Sequence, residues 1–524
     1  MSTLYEEEAQ FESLDEMVAQ LKHYVMEAVG QKELHEVEQD VLRSVHRLGC
    51  LALEVFVTLT GSGYEPGDPP VTEAGCPMRY KGTVASPYVS IFGEITIPRA
   101  AYAHPDGGRI YPIDAQLNLP DHQYSYLLLK WMQADSAEKD FRKAVNRFNE
   151  IFDFSFFPEL PQRQGLPMAE SVAPFYEQQS APKPETEGSH IALSADCKGV
   201  RILKREREGA KEEAPAKPRR GKGEKPGIKK DAVVVTDFSF DPEARQQKEI
   251  VKGLLNLFTQ EEKEQQKQER KSRREAGLPE PRAPFNKHVF ATLEGKKAAF
   301  NHLLDHVGKR DPEGQKLLIA LLDGDPYLED RLRKELKNHG MAHRLDALIL
   351  DIIHASEYLW DVGTALYGEK GQKRIEWIEE KLYALLNGKV GYLIGGLRQR
   401  LTKNQDVFTK PQKKALEKTI TYFDNHRHMM AYHVYLKKGY PIATGVVEGT
   451  CSSLVKDRME QSGMRWSIAG AQAVLAQRAV VKNHDWNEFW TYYMDSERER
   501  LYPTVYQRKT EAGCHRNPGY EKAA

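Results

Sequence analysis

The chain has 524 residues, 75 Lys and Arg against 76 Asp and Glu, and a formal charge of −1, with 29% charged and 40% hydrophobic residues. At about 100–200 residues per domain this length predicts a multidomain protein with a sizeable core, and the balanced charge excludes an overall basic field, so any nucleic-acid surface must be local. Cys50, Cys76, Cys197, Cys451 and Cys514 are odd in number, scattered and without a CxxC pair, which argues against a disulfide framework or a structural zinc site and for a reducing cytoplasm.

In chain order, the acidic N-terminus MSTLYEEEAQF lacks an apolar core and no apolar run approaches ~18 residues, so neither a signal peptide nor a membrane span is expected. Met17, Leu21, Val25, Val41, Val45 and Leu48 recur at helical spacing and predict two long helices over about 12–60 that pack on each other. YVSIFGEITIPRAAYAHPDGGRIYPI predicts a hairpin unit at about 88–113. Helix returns over about 121–155, with Ser136 as the expected cap of SAEKDFRKAVNRFNEIF, read either as part of a helix-turn-helix or as a packing helix. Residues 1–175 thus form a mostly helical N-terminal region, and polar YEQQSAPKPETEGS at 176–189 is the linker after it.

The pattern then changes. HIALSADCKGVRIL, AVVVTDFSF and KHVFATLEG read as three strands. Two charged insertions separate them, KREREGAKEEAPAKPRRGKGEKPGIKK and a helical stretch around 243–275. A helix near 295–308 precedes QKLLIALLDGD, a continuous apolar run of the kind a buried central strand shows. DPYLEDRLRKELKNHG is helical, DALILDIIHASEYLW is a strand turning into a helix, and the pattern stays helical to about 440. The expected class is α/β: a first part at 190–355, an all-helical stretch at 356–443, closing helices at 444–495 and a tail at 496–524.

Three acids fall at the end or in the middle of predicted elements in this region: Asp196 within the first strand, Asp323 after LLIALL, and Glu448 at the start of a helix after the helical stretch. Carboxylates converging from strand ends suit hard divalent cations, which take oxygen ligands. In-line displacement at a phosphodiester uses two such ions about 3.5–4 Å apart. Asp325 and Glu460 are rival positions that spacing alone leaves open. Around the third acid, GYPIATGVVEGTCSSLVKDRMEQSGMRW places Glu448 ahead of Lys456, Arg458, Arg465 and Trp466. If 447–461 is one α-helix, Glu448 shares a face with Ser452, Val455 and Met459, while Lys456 and Arg458 flank it. Arg465 and Trp466 would then offer a guanidinium and a stacking ring to DNA, or else Trp466 is core and Arg465 surface.

From YFDNHRHMMAYHVYLKKGYPIATGVVEG and VKDRMEQSGMRW the chain resembles bacterial insertion-sequence transposases of the DDE type, in particular the ISKra family related to Mutator-like elements, over about 45–520. The resemblance implies an RNase H-like catalytic domain interrupted by an all-helical insertion. It implies Asp196, Asp323 and Glu448 as catalytic ligands of two Mg²⁺ or Mn²⁺ ions. It further implies a D-x-x-H feature at Asp351 and His354, expected to position DNA or an acid rather than to act as a base. Its partners would be double-stranded DNA, both terminal inverted repeats and target, bound by a homodimer or higher oligomer in the bacterial cytoplasm at the nucleoid.

Residues 201–230 hold twelve Lys or Arg against five acids, so phosphate contact is expected from Arg219, Arg220 and Lys222, together with Lys198 beside Asp196. Relatives often carry a paired-cysteine turn after the hairpin unit; here the place reads AYAHPDGGRIYP, without one. Two other functions fit the same residues: an RNase H-like nuclease without strand transfer, and a non-catalytic DNA-binding descendant.

Overall fold

The computed structural model describes residues 2–67, 69–71, 77–103, 108–203, 206, 229–277, 284–443, 449 and 452–503. They form two compact units, one of 1–175 with 485–524 and one of 176–484. No helix among the described residues is long and apolar enough to cross a membrane.

In the first unit, helices α1 (Ser2–Ala28) and α2 (Leu34–Thr60) pack on each other. Strands β1 (Arg79–Ser90), β2 (Gly93–Ala103) and β3 (Arg109–Ile110) make an antiparallel sheet. The hairpin begins nine residues before the predicted start, because RYKGTVASP lies largely exposed and carries no apolar alternation. Four helices follow: α3 (Pro112–Leu117), α4 (Tyr126–Glu138), α5 (Phe141–Phe152) and α6 (Glu159–Glu170). Ser136 is not a cap. It is buried in the last turn of α4, and Asp140 caps α5 by accepting from the Lys143 N–H at 2.9 Å. The helix Trp486–Leu501, expected among the closing helices at 444–495, groups instead with this unit, where Tyr493 meets Tyr126 edge-on.

The second unit is a mixed α/β domain. Helix α7 (Val172–Gln178) leads into it, and its five strands are β4 (His190–Arg201), β5 (Lys229–Phe240), β6 (Phe285–Thr292), β7 (Leu317–Leu322) and β8 (Leu345–Leu350). They lie in the order β6-β5-β4-β7-β8, with β5 antiparallel to both neighbours and β4, β7 and β8 mutually parallel. Helices α8 (Gln247–Leu254) and α9 (Gln260–Glu275) fill the β5–β6 connection, α10 (Lys296–Arg310) joins β6 to β7, and α11 (Pro326–Asn338) joins β7 to β8. β7 is LLIALL, buried on both faces as a central parallel strand must be.

After β8 come α12 (Ile352–Tyr367), α13 (Gln372–Leu386), α14 (Val390–Lys403), α15 (Lys410–Asn425) and α16 (Tyr432–Lys438). Their apolar faces do not enclose a separate core: one cluster runs from Ile191 on β4 through Leu359, Ile378 and Phe423 to Ile442. The segment read as a linker is anchored at its end. Glu187 forms a bidentate pair with Arg310 (2.7 Å), and Arg310 also binds Asp237, all three side chains being buried. Burial alone would raise the Asp237 carboxyl, but His306 and Arg310 hold it well below the usual carboxylate range.

Candidate functional site

Register brings the predicted aspartates together. Ala195 on β4 is level with Leu322 on β7, and Leu322 with Leu350 on β8. Asp196, Asp323 and Asp351 are therefore the next residues on three adjacent parallel strands, which run about 4.8 Å apart. The Asp351 N–H donates to the Leu322 carbonyl at 2.9 Å, locking the second and third of these strand ends.

Each aspartate has its own setting. Asp196 Oδ1 accepts from the Cys197 N–H at 2.6 Å, and Oδ2 lies 3.2 Å from the Lys198 ammonium. Lys198, expected to contact DNA phosphate, is thus also a counter-ion of Asp196. The Cys197 thiol is pushed up to about 12 by burial, so it is no nucleophile at neutral pH. Asp323 accepts from the Asp325 N–H at 2.9 Å. Burial pushes its carboxyl up, the Asp325 N–H and the nearby His354 pull it down, and the charge of Asp196 pushes it up again. Asp351 is fully buried; it caps α12 through the Ile353 N–H at 2.9 Å and holds His354 Nδ1 at 3.3 Å. Hydrogen bonding to Asp351 raises the His354 imidazole to about 9, outweighing burial. A ring protonated at neutral pH has no lone pair to take a proton, so His354 serves as a cation beside the acids.

The two described acids fit a divalent cation. They are hard oxygen donors on neighbouring strands, where the pairing of β4 with β7 ends, and the upward push that Asp196 exerts on Asp323 is the repulsion a bound cation would remove. Among the described residues no three His, Cys, Asp or Glu side chains form a metal cage. Glu448 lies outside the described residues, as do Arg219, Arg220 and Lys222. The rival acids have other work. Asp325 caps α11 through the Tyr327 N–H (2.8 Å) and pairs with Lys296 (2.7 Å), while Glu460 is exposed and pairs with Lys229 at 3.4 Å.

The segment after Glu448 departs from the expected helix. Ser452–Lys456 is a π-helix, Asp457–Met459 a short α-turn and Gln461–Gly463 a 3₁₀ turn, so a 3.6-residue face does not apply. Arg458 is fully buried, its guanidinium 4.9 Å from the centre of the Trp466 ring and 3.6 Å from Met464 Sδ. Trp466 is buried as well and donates from Nε1 to the Met459 carbonyl at 3.2 Å. Of the two readings of Arg465 and Trp466, the structure bears out the second, with Trp466 core and Arg465 exposed; Arg458, expected to meet phosphate, is core, and Lys456 is exposed. At Gly463 φ is +73°, and Trp466 then lies alongside the end of β4 in a parallel bridge to Ile202, donating to the Arg201 carbonyl (2.9 Å) and accepting from the Leu203 N–H (2.8 Å). Arg465 is thereby carried to the end of the strand that bears Asp196.

Residues the sequence reading missed fix the Asp323 turn. The Tyr422 hydroxyl on α15 donates to the Asp323 carbonyl at 2.6 Å, His426 Nε2 faces the Gly324 carbonyl at 2.9 Å, and Tyr358 on α12 stacks on Tyr422 with centroids 3.8 Å apart. Gly324 has φ +91°, and a Cβ there would lie 2.9 Å from the Tyr422 hydroxyl. The signal was present in YFDNH, which puts Tyr422 and His426 four apart on one helix face. Nothing in it named the partner. Comparison with protein-family models and with curated protein sequences finds no match.

Proposed function

We propose that this chain is a DDE-type DNA transposase, cutting the ends of its own insertion sequence and joining them to target DNA. The carrying observation is the placement of Asp196, within β4, and Asp323, just past the end of the adjacent parallel strand β7, one residue beyond the level pair Ala195 and Leu322, close enough that one raises the carboxyl of the other. The strand order β6-β5-β4-β7-β8 with β5 alone reversed supports the RNase H-like reading, and the five helices between β8 and the Glu448 segment support the helical insertion. Mg²⁺ or Mn²⁺ would supply the Lewis acidity that phosphodiester displacement needs. Asp196, Asp323 and Glu448 would hold it, His354 would keep positive charge near the acids, and Lys456 and Arg465 would meet phosphates.

The test is cleavage and joining of DNA carrying the element's ends, in Mg²⁺, by wild type and by Asp196→Asn, Asp323→Asn and Glu448→Gln. Each variant should bind DNA and do neither reaction, because phosphate contacts rather than catalytic ions supply most affinity. Near-wild-type strand transfer by any one removes that residue from the site. Cleavage without joining by the wild type returns the nuclease reading, and binding without cleavage the non-catalytic one.

A further inference from the structure

The first unit holds a cavity of about 870 Å³ bounded by α2, the β1–β2 turn, the end of α5 and the start of α6. Its wall is aromatic because of one sequence run, FDFSFF at 152–157. Helix α5 stops at Asp153, whose φ of +55° turns the chain. Asn149 then clamps the run, donating to the Phe156 carbonyl (3.0 Å) and accepting from the Phe156 N–H (2.9 Å). Phe154 and Phe156 stand side by side, centroids 4.6 Å apart, half-buried against a core of Val89, Leu128, Met132 and Phe148. The rings are held rigidly from behind and open in front. Phe157, next in the run, is 74% exposed.

Guanidinium groups complete the lining. Arg47 on α2 and Arg163 on α6 are exposed and form no ion pair among the described residues; Arg43 makes only an exposed contact with Asp40 at 3.4 Å. Glu94, Asp153 and Glu159 line the same cavity, so it carries no strong net field. This is not a surface that gathers duplex DNA by charge. Fixed ring faces next to unpaired guanidinium forks are what an unpaired nucleotide needs, a face for the base and forks for its phosphates. The volume lies within the ~300–1,000 Å³ of small-ligand sites, too confined for a stacked duplex.

We propose that this cavity binds an unpaired nucleotide of a DNA strand, its base against Phe154 and Phe157 and its phosphates at Arg47 and Arg163. That the strand is DNA rests on the proposed function of the second unit; the single-strand preference rests on the cavity alone. In the transposition setting the occupant would be a nucleotide exposed at a frayed or hairpinned end.

The experiment uses the full chain in EDTA, so that binding is read without cleavage, with fluorescein-labelled dT12, a blunt 12-bp duplex and free thymidine monophosphate as competitor. Phe157→Ala removes an exposed ring and leaves the fold intact; Phe154→Leu keeps the packing but loses the aromatic face. Each should weaken dT12 on the order of tenfold, as loss of one base-stacking partner does, with duplex binding changed less than about twofold. Arg163→Ala should lower the slope of log K against log salt for dT12 by about 0.7. Failure to bind dT12, or dT12 affinity unchanged in both ring variants, overturns the proposal. So does competition by the free nucleotide as strong as by dT12, which would make this a mononucleotide site. Light scattering adds another overturning outcome: self-association lost in Phe157→Ala with dT12 binding intact would make the cavity a protein interface. Inactivity of Asp196→Asn alongside any of these leaves the proposed function standing, and a dT12 defect alongside active Asp196→Asn leaves the cavity standing without it.

Discussion

Gly324→Ala tests whether the turn beside Asp323 is built as described. The backbone there has φ +91°, a region that costs a side-chain-bearing residue about 1–3 kcal/mol. The new methyl would also sit 2.9 Å from the Tyr422 hydroxyl, 3.1 Å from His426 Nε2 and 3.1 Å from Leu350 Cδ1. Forcing a methyl into a packed site typically costs a further ~1–3 kcal/mol. The variant should therefore lose roughly 2–6 kcal/mol in urea unfolding of the full chain followed by tryptophan fluorescence. Tyr422→Phe alone should lose about 1 kcal/mol, the worth of its hydrogen bond to the Asp323 carbonyl. In the double variant the nearest obstruction is gone, so the two losses should fall short of additive by about 1 kcal/mol or more. Cleavage should fall in Gly324→Ala on the order of 100-fold, since the shift would displace the adjoining Asp323. A loss under about 0.5 kcal/mol, or strict additivity with Tyr422→Phe, would refute the clamp.

Asp323→Asn should make the metal-free protein more stable at pH 7. The folded carboxyl titrates above its unfolded value, so ionising it costs stability at any pH above the unfolded value, and the amide escapes that cost. Millimolar Mg²⁺ should then raise the unfolding midpoint of wild type and not of Asp323→Asn, as a ligand bound only by the native site requires. His354→Gln should be destabilised relative to wild type by about 1–2 kcal/mol after allowance for solvent screening. Because the folded imidazole titrates at about 9, against 6.5 when free, that difference is fully present below pH 6.5 and lost as pH rises through about 9. Urea unfolding in EDTA at pH 6, 8 and 10 checks the sign; a difference that grew with pH would contradict the Asp351 pairing. Trp466→Ala should cost about 3–5 kcal/mol by the same assay, whereas Trp466→Phe, which keeps an aromatic face against Arg458 but loses the bond to Met459 and part of the buried ring, should cost about 1–2 kcal/mol and bind DNA as wild type does.

What could be read from the sequence follows from how local each determinant is. LLIALL is apolar without alternation, and only a strand covered on both faces needs that, so β7 and Asp323 after it were legible; LDALIL, with its one charge at Asp346 near the start, still read as a strand running into a helix. The first half of β1 was not, because RYKGTVASP pairs through its backbone and its side chains lie largely in solvent. Ser136 and Asp140 are both good caps four residues apart; the choice turned on α4 continuing through Ser136, which its packing in the first unit decides. Trp466 was readable either as a DNA-stacking ring or as core, and Arg458 as a phosphate contact; both are core, because Trp466 pairs beside the end of β4 and Arg458 packs its guanidinium over the indole. A pairing between residues more than 260 positions apart leaves no periodic trace.

The helices after β8 occupy the place of an insertion in the sequence, yet in the structure they complete the sheet. β8 is an edge strand, and its outward carbonyls would otherwise be unpaired beneath protein. Two residues of α16 reach them: the Tyr432 hydroxyl donates to Leu350 at 2.8 Å and that of Tyr435 to Leu348 at 3.3 Å. Beyond the strand, the Ile352 N–H donates to the Ile442 carbonyl at 2.9 Å, and Lys438 and Tyr440 both bind Asp346. Together with Tyr422 at the Asp323 carbonyl, these bonds fall on β8, on the start of α12 just after it, or on the turn that carries Asp323. Asp196 and Asp323 repel each other, and a flexible strand end would relieve that repulsion by moving apart. Keeping them adjacent requires a backbone fixed from outside the sheet, which is what the tyrosines of α15 and α16 provide. The helical stretch is thus part of the machinery that holds the acids in place.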